Sequence, residues 1–263
     1  MSTTTVHPMA DINTMLRRNL RHAQRYPGVS IGTLAMPVIM LLLFGVVFGK
    51  TFKAGLGGAG FDYIDYLIPG ILLLTVTSGT MGPAIAVCTD MTEGIVARFR
   101  TMSMFRPAVL TGAVLGSMLQ ILASLALVLG FALAIGFRPN ASFGDWLLVI
   151  GLLVALTFAF TWLAVALGLV SKTPEGASNI VLPLNLLFPF LSTTFIPLDA
   201  MPKGLRWFAE YQPFTPIIET LRHLLIGTPT DTGEGWVALA WCFAIAVVGY
   251  FWAQKNYNKG TVA

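Results

Sequence analysis

Apolar blocks about twenty residues long recur along this chain, and they restrict its fold more than any single motif. LAMPVIMLLLFGVVFG, residues 34–49, is one of them. Twenty helical residues at 1.5 Å each match a bilayer core of roughly 30 Å. Composition agrees: 56% of the 263 residues are hydrophobic and 11% are charged, whereas soluble domains carry about a quarter charged residues. Backbone groups inside hydrocarbon must be satisfied within the segment. The chain therefore reads as an all-α integral membrane protein.

Six transmembrane spans are expected, near 28–49, 64–87, 107–137, 146–171, 177–198 and 236–253. Together they make one transmembrane domain, residues 28–253, preceded by a polar, disordered amino terminus (1–10) and followed by a short tail (254–263). In residues 11–26, Ile12, Leu16, Leu20 and Ala23 share one helical face while Arg17, Arg18, Arg21 and Arg25 cover the rest. A basic amphipathic helix of this kind lies in the interface, arginines towards anionic headgroups. The fifth span, GASNIVLPLNLLFPFLSTTFIP, holds two internal prolines and two asparagines, so it suits a protein- or cavity-facing position.

Lysine and arginine orient the spans. With the amino terminus in the cytoplasm, ten of the 16 basic residues fall inside and six outside, and eight of the 12 acids fall outside. Both termini are then cytoplasmic. The outer segment before the last span reads as two amphipathic helices, MPKGLRWFAEY and TPIIETLRHLLIG. Thr215 is the expected N-cap of the second, with Pro216 at its first position and Gly227 as its stop. Its many apolar residues predict a re-entrant hairpin that dips into the outer leaflet.

Several function classes lack support. FGVVFGKT at 44–51 imitates a phosphate loop, but the position that requires glycine is Phe44, and the segment ends a span instead of following a strand. Arg17–Arg18 resembles a twin-arginine signal without the small-residue cleavage site. Cys88 and Cys242, and His7, His22 and His223, have no metal or disulfide spacing. The basic residues gather at span ends and not on a soluble module, which argues against nucleic acid as a partner. No hydrolytic motif and no carboxylate pair within a span is present, so no catalytic residue and no metal site are assigned, and a proton-coupled pump is disfavoured.

The stretch CTDMTEGIVARFRTMSMFRP, residues 88–107, interrupts this apolar background. From Met91 a helical wheel places Met91, Ile95, Phe99 and Met102 within about 80° of one another, with Glu93 and Arg100 opposite. The positive-inside rule alone accounts for its arginines. It does not account for the Glu-Gly pair or for a phenylalanine between two arginines, residue types that dominate binding hot spots.

This stretch resembles the loop after the second span in type-2 ABC export permeases, in particular the daunorubicin/doxorubicin-resistance-type permeases of actinobacteria. The similarity recurs in YIDYLIPGILLL, in AIGFRP and in FIPLDAMPKGLRWFAEYQPFTPIIETLRHLLIG. The resemblance implies a permease subunit of an ATP-driven exporter, paired with a second copy as a homodimer or with a similar permease as a heterodimer, and joined to two ABC ATPase subunits. Glu93, Gly94, Arg98, Phe99 and Arg100 would form a cytoplasmic coupling helix docking on that ATPase, and Arg17, Arg18, Arg21 and Arg25 would belong to the interfacial connecting helix. This chain would bind no cofactor; ATP and Mg would be used by the partner ATPase. The expected location is the bacterial inner membrane.

An apolar pathway suits a hydrophobic or amphipathic cargo such as a drug, an antibiotic or a lipid. Thr75, Thr77 and Ser78 in the second span and Asn185, Phe188 and Phe190 in the fifth are the pathway candidates. Two alternatives stand beside this reading: the same machinery exporting a polysaccharide or lipid-linked glycan, and a secondary transporter without a nucleotide partner.

Overall fold

The computed structural model describes residues 35–47, 63–94, 106–228 and 233–259. The described residues form helices and connecting turns. They are α1 (Ala35–Val47), α2 (Tyr63–Gly79), α3 (Met81–Thr92), α4 (Arg106–Ile135), α5 (Phe143–Val170), α6 (Pro174–Phe190), α7 (Lys203–Tyr211), α8 (Phe214–Ile226) and α9 (Glu234–Lys259). Among the described residues, four stretches are long and apolar enough to cross a bilayer: Tyr63–Thr92, Leu110–Ile135, Phe143–Val170 and Glu234–Tyr257. α6 and the described part of α1 are shorter.

The second span is broken at Thr80, whose hydroxyl and amide both turn back to the Thr77 carbonyl. Pro83 explains the interruption, because it lacks the N–H that the Gly79 carbonyl would accept in a continuous helix. α3 then runs to Thr92, and Gly94 adopts φ +70°. Met91 therefore closes the second span instead of opening a new amphipathic helix, and the glycine after Glu93 is a helix stop. Residues 95–105 lie outside the described residues.

The fifth span also departs from expectation. α6 ends at Phe190, not near 198. The Ser192 hydroxyl donates to the Pro189 carbonyl at 2.6 Å and accepts the Thr194 amide at 3.3 Å. Serine and threonine hydroxyls that bond the main chain in this way compete with helix continuation. Both hairpin helices form where the pattern placed them, and Gly227 ends α8 with φ +74°. Thr215, the expected N-cap, lies inside α8: Pro213 already has φ −64° and ψ −24°, so helical geometry begins earlier.

Two large apolar clusters and a small one, Ala84, Ala164 and Val181, hold the described bundle. At one end Val87, Leu110, Val114, Trp162, Val165, Ala253 and Tyr257 cluster where α3, α4, α5 and α9 meet. At the other, α2, α4, α5, α8 and α9 share a larger core containing Leu67, Ile71, Phe137, Phe160, Phe214 and Leu221. α5 is capped at Ser142, whose hydroxyl accepts the Asp145 amide while the Asp145 carboxylate accepts the Ser142 amide. α9 lies against α5 so closely that a Cβ on Gly249 would sit 2.7 Å from the Leu163 nitrogen. Small residues permit such backbone approach where membrane helices pack.

Candidate functional site

The most elaborate polar arrangement among the described residues lies under the hairpin, centred on Arg222 of α8. Ile217, Ile218, Leu221 and Leu225 are fully buried, and Arg222 is 2% exposed among them. Its guanidinium uses four of its donor hydrogens. Nη1 donates to Glu219 at 2.5 Å, Nε and Nη2 donate to the Tyr66 carbonyl at 3.3 and 3.1 Å, and Nη2 donates to the Thr193 carbonyl at 2.9 Å. Cζ also stands 3.7 Å from the centre of the Tyr66 ring.

Each partner is positioned by its own segment. Tyr66 comes from the first turn of α2, and its hydroxyl donates to the same Thr193 carbonyl at 3.1 Å. One turn earlier, the Tyr63 hydroxyl reaches the Phe195 carbonyl at 3.4 Å. One turn later, Gly70 lets the 191–197 turn settle on α2, since a Cβ there would be 2.8 Å from Thr194 Cα. Gln212, at the corner between α7 and α8, donates to the Leu191 carbonyl at 2.6 Å. The Asn140 amide donates to the Leu225 carbonyl at 2.9 Å, fixing the far end of α8. The hairpin is thus clamped to α2, to the turn after α6 and to the α4–α5 connection.

A charge buried this deeply is costly unless paired and hydrogen-bonded, and Arg222 is both. Sequence reading counted it only as one outer basic residue. Its signal was available, because an ionisable residue on the apolar face of a membrane-associated helix marks function by default, and Glu219 three residues earlier supplies the partner.

None of the described residues singled out from the sequence bonds to Arg222. Thr75 and Thr77 are buried in α2, and the hydroxyls of Thr75, Thr77 and Ser78 donate to carbonyls of their own helix. Asn185 is half-buried, and its Oδ1 has no hydrogen-bond partner. Phe188 stacks on Phe214 at 5.7 Å and also meets Phe208, while Phe190 stacks on Phe195 at 4.7 Å. The two phenylalanines therefore join α6 to the hairpin and its turn. No described hydrogen bond or ring contact joins the Thr75–Ser78 group to Asn185, Phe188 or Phe190.

At the opposite end, Glu93 is exposed at the tip of α3, with Gly94 turning the chain after it. Cys88, one turn back, lies against the Ser171 carbonyl at 3.5 Å, so the α5–α6 corner shares this end. Arg98, Phe99, Arg100, Arg17, Arg18, Arg21 and Arg25 lie outside the described residues.

A bundle of long apolar helices, with a clamped pair of shorter helices at one end, is the architecture of a helical membrane protein. Residues 10–226 match the ABC-2 type transporter family, and the chain belongs to it. It is 30% identical over 243 residues to the daunorubicin resistance ABC transporter permease protein DrrB1 of Streptomyces coeruleorubidus, covering 90% of this chain and 82% of that one. It is 24% identical to the probable doxorubicin resistance ABC transporter permease protein DrrC of Mycobacterium tuberculosis, over 82% of this chain and 78% of that one. It is also 22% identical to the inner membrane transport permease YadH of Escherichia coli, over 91% of this chain and 93% of that one. Membership makes the chain a membrane component of an ABC transporter and implies association with ABC ATPase partners.

Proposed function

We propose that this chain is the permease subunit of an ATP-driven exporter of hydrophobic or amphipathic compounds, drugs and antibiotics among them. The observation that carries this reading is 30% identity, along nine-tenths of the chain, to a permease named for daunorubicin resistance. The chain crosses the bacterial inner membrane six times, with both termini in the cytoplasm and the α7–α8 hairpin dipping into the outer leaflet. Two permeases, identical or similar, join two ATPase subunits that use ATP and Mg.

In this reading Glu93, Gly94, Arg98, Phe99 and Arg100 dock on the ATPase, assisted by Arg17, Arg18, Arg21 and Arg25. The exposed position of Glu93 at the tip of a span supports this, since a soluble partner needs a protruding handle. Cargo moves between the two permeases, past residues that include Asn185, Phe188 and Phe190 and near the Thr75–Ser78 segment of α2.

The test is co-purification from native membranes in mild detergent, together with daunorubicin uptake into inverted vesicles. The unaltered chain should recover an ATPase and support ATP-dependent uptake. The combined variant Glu93→Ala, Arg98→Ala, Arg100→Ala should lose both while still inserting. Uptake without ATP, or a variant that keeps its ATPase, would overturn the export or the docking assignment respectively.

A further inference from the structure

Arg222 is compensated in an unusual way. Its counter-ion, Glu219, lies three residues earlier on the same helix and is still 23% exposed. Its bonds across to other segments all end on neutral groups: the Tyr66 carbonyl and ring on α2, and the Thr193 carbonyl in the turn after α6. A salt bridge between two helices would leave two buried charges unpaired when the helices part, which is strongly unfavourable. Here the ion pair travels with α8 as a unit, and parting it from α2 breaks only bonds to neutral partners.

Three further side chains of the interface have the same character. Tyr63 and Tyr66 reach main-chain carbonyls of the turn, and Gln212 does so from the hairpin corner. None of these three side chains brings a charge. The Thr193 and Gln212 side chains each keep a buried oxygen without a partner, so the seated state does not satisfy every polar group along the seam.

From this we infer that Arg222 is a positioning residue of the transport cycle: it seats the α7–α8 hairpin on α2 and on the turn after α6, and that seat releases during turnover. The inference rests on the export reading for its turnover part only. Release would expose the 191–197 turn, whose Ser192, Thr193 and Thr194 are at most 1% exposed when seated.

Thr193→Cys reports on the seat at little cost, because the Thr193 Oγ1 makes no hydrogen bond and its carbonyl is retained. The reporter is placed in the full chain with its co-purified ATPase, in lipid nanodiscs that leave both membrane faces open to a membrane-impermeant maleimide. The chain without the reporter gives the background from Cys88 and Cys242, both buried. Labelling is compared without nucleotide and during Mg·ATP hydrolysis.

The reporter in the otherwise unaltered chain should label slowly at rest and about tenfold faster during hydrolysis, a tenfold change corresponding to about 1.4 kcal/mol in the opening equilibrium. Adding Arg222→Met should bring resting labelling up to the turnover rate and abolish the nucleotide response. Arg222→Lys, which keeps the charge next to Glu219 but loses the planar fork, should fall between them. It also serves where Arg222→Met fails to insert. Equal resting rates in the parent and in Arg222→Lys would overturn the seat. A parent that hydrolyses ATP and labels no faster would overturn its release. A raised resting rate in the variants with no ATPase recovered from any chain would keep the seat and overturn the export reading.

Discussion

Tyr66 meets Arg222 twice. Its ring face lies 3.7 Å from the guanidinium carbon, and its main-chain carbonyl accepts from Nε and Nη2 of the same group. A planar guanidinium can serve a π face and a carbonyl together, which a lysine ammonium cannot do with the same geometry. The two residues are 156 positions apart in sequence, so this one contact ties the start of the second span to the hairpin before the last.

Tyr66→Phe and Tyr66→Leu should separate the parts of this contact. The phenylalanine loses only the hydroxyl bond to the Thr193 carbonyl, which keeps its bond from Arg222, at a cost of about 0.5–1.5 kcal/mol. The leucine also loses the ring under the cation, a further loss of about 0.5–2 kcal/mol. Thermal unfolding of the purified protein in one detergent reads the difference. Equal losses would show that the ring face contributes nothing.

Gly70→Ala should destabilise by about 1–3 kcal/mol, because the new methyl group would meet the Thr194 Cγ2 methyl at 2.5 Å and the Thr194 Cα at 2.8 Å, so turning the side chain alone does not relieve the clash. Gly82→Ala is the matched control. It sits in α3 with open space around it, and it should raise the thermal midpoint slightly by restricting the unfolded chain. A harmless Gly70→Ala would mean that the 191–197 turn is not held against α2.

Gly94→Ala should weaken ATPase recovery, while Gly94→Asn should preserve most of it. At φ +70° alanine is strained by about 1–2 kcal/mol, whereas asparagine tolerates the left-handed region. Quantifying ATPase retained per permease after detergent extraction distinguishes the two. If both variants bind equally, the turn after Glu93 does not aim the docking segment.

Asn185→Leu should leave thermal stability within about 0.5 kcal/mol of the parent, since the Oδ1 removed has no partner to lose. Under the proposed export reading, with Asn185 bordering the pathway, the same change should slow ATP-dependent uptake several-fold. A variant with unchanged stability and unchanged uptake would remove Asn185 from the pathway.

Local patterns revealed much of this architecture because helices in lipid must satisfy their backbones internally. The apolar blocks located the long spans, and the hairpin helices announced themselves through amphipathic periodicity and the Gly227 stop. Three features escaped for physical reasons. The break at Thr80 depends on one missing amide at Pro83, and the early end of α6 depends on the Ser192 hydroxyl, which donates to the Pro189 carbonyl and accepts the Thr194 amide. The Arg222 site is nonlocal, since its acceptors come from Tyr66 and Thr193, 156 and 29 residues away. Only Glu219 was near enough for the pairing to be read from the sequence.

The spacing of Glu219 and Arg222 also bears on how the chain is made. An i,i+3 pair can form as soon as α8 turns helical, before α2 or α6 is at hand. Under the proposed re-entrant placement, the helix would reach the bilayer already neutralised, and its apolar face, with Ile217, Ile218, Leu221 and Leu225, would meet hydrocarbon without a bare cation among them. Insertion of the hairpin under that placement would not depend on the order in which the other spans assemble.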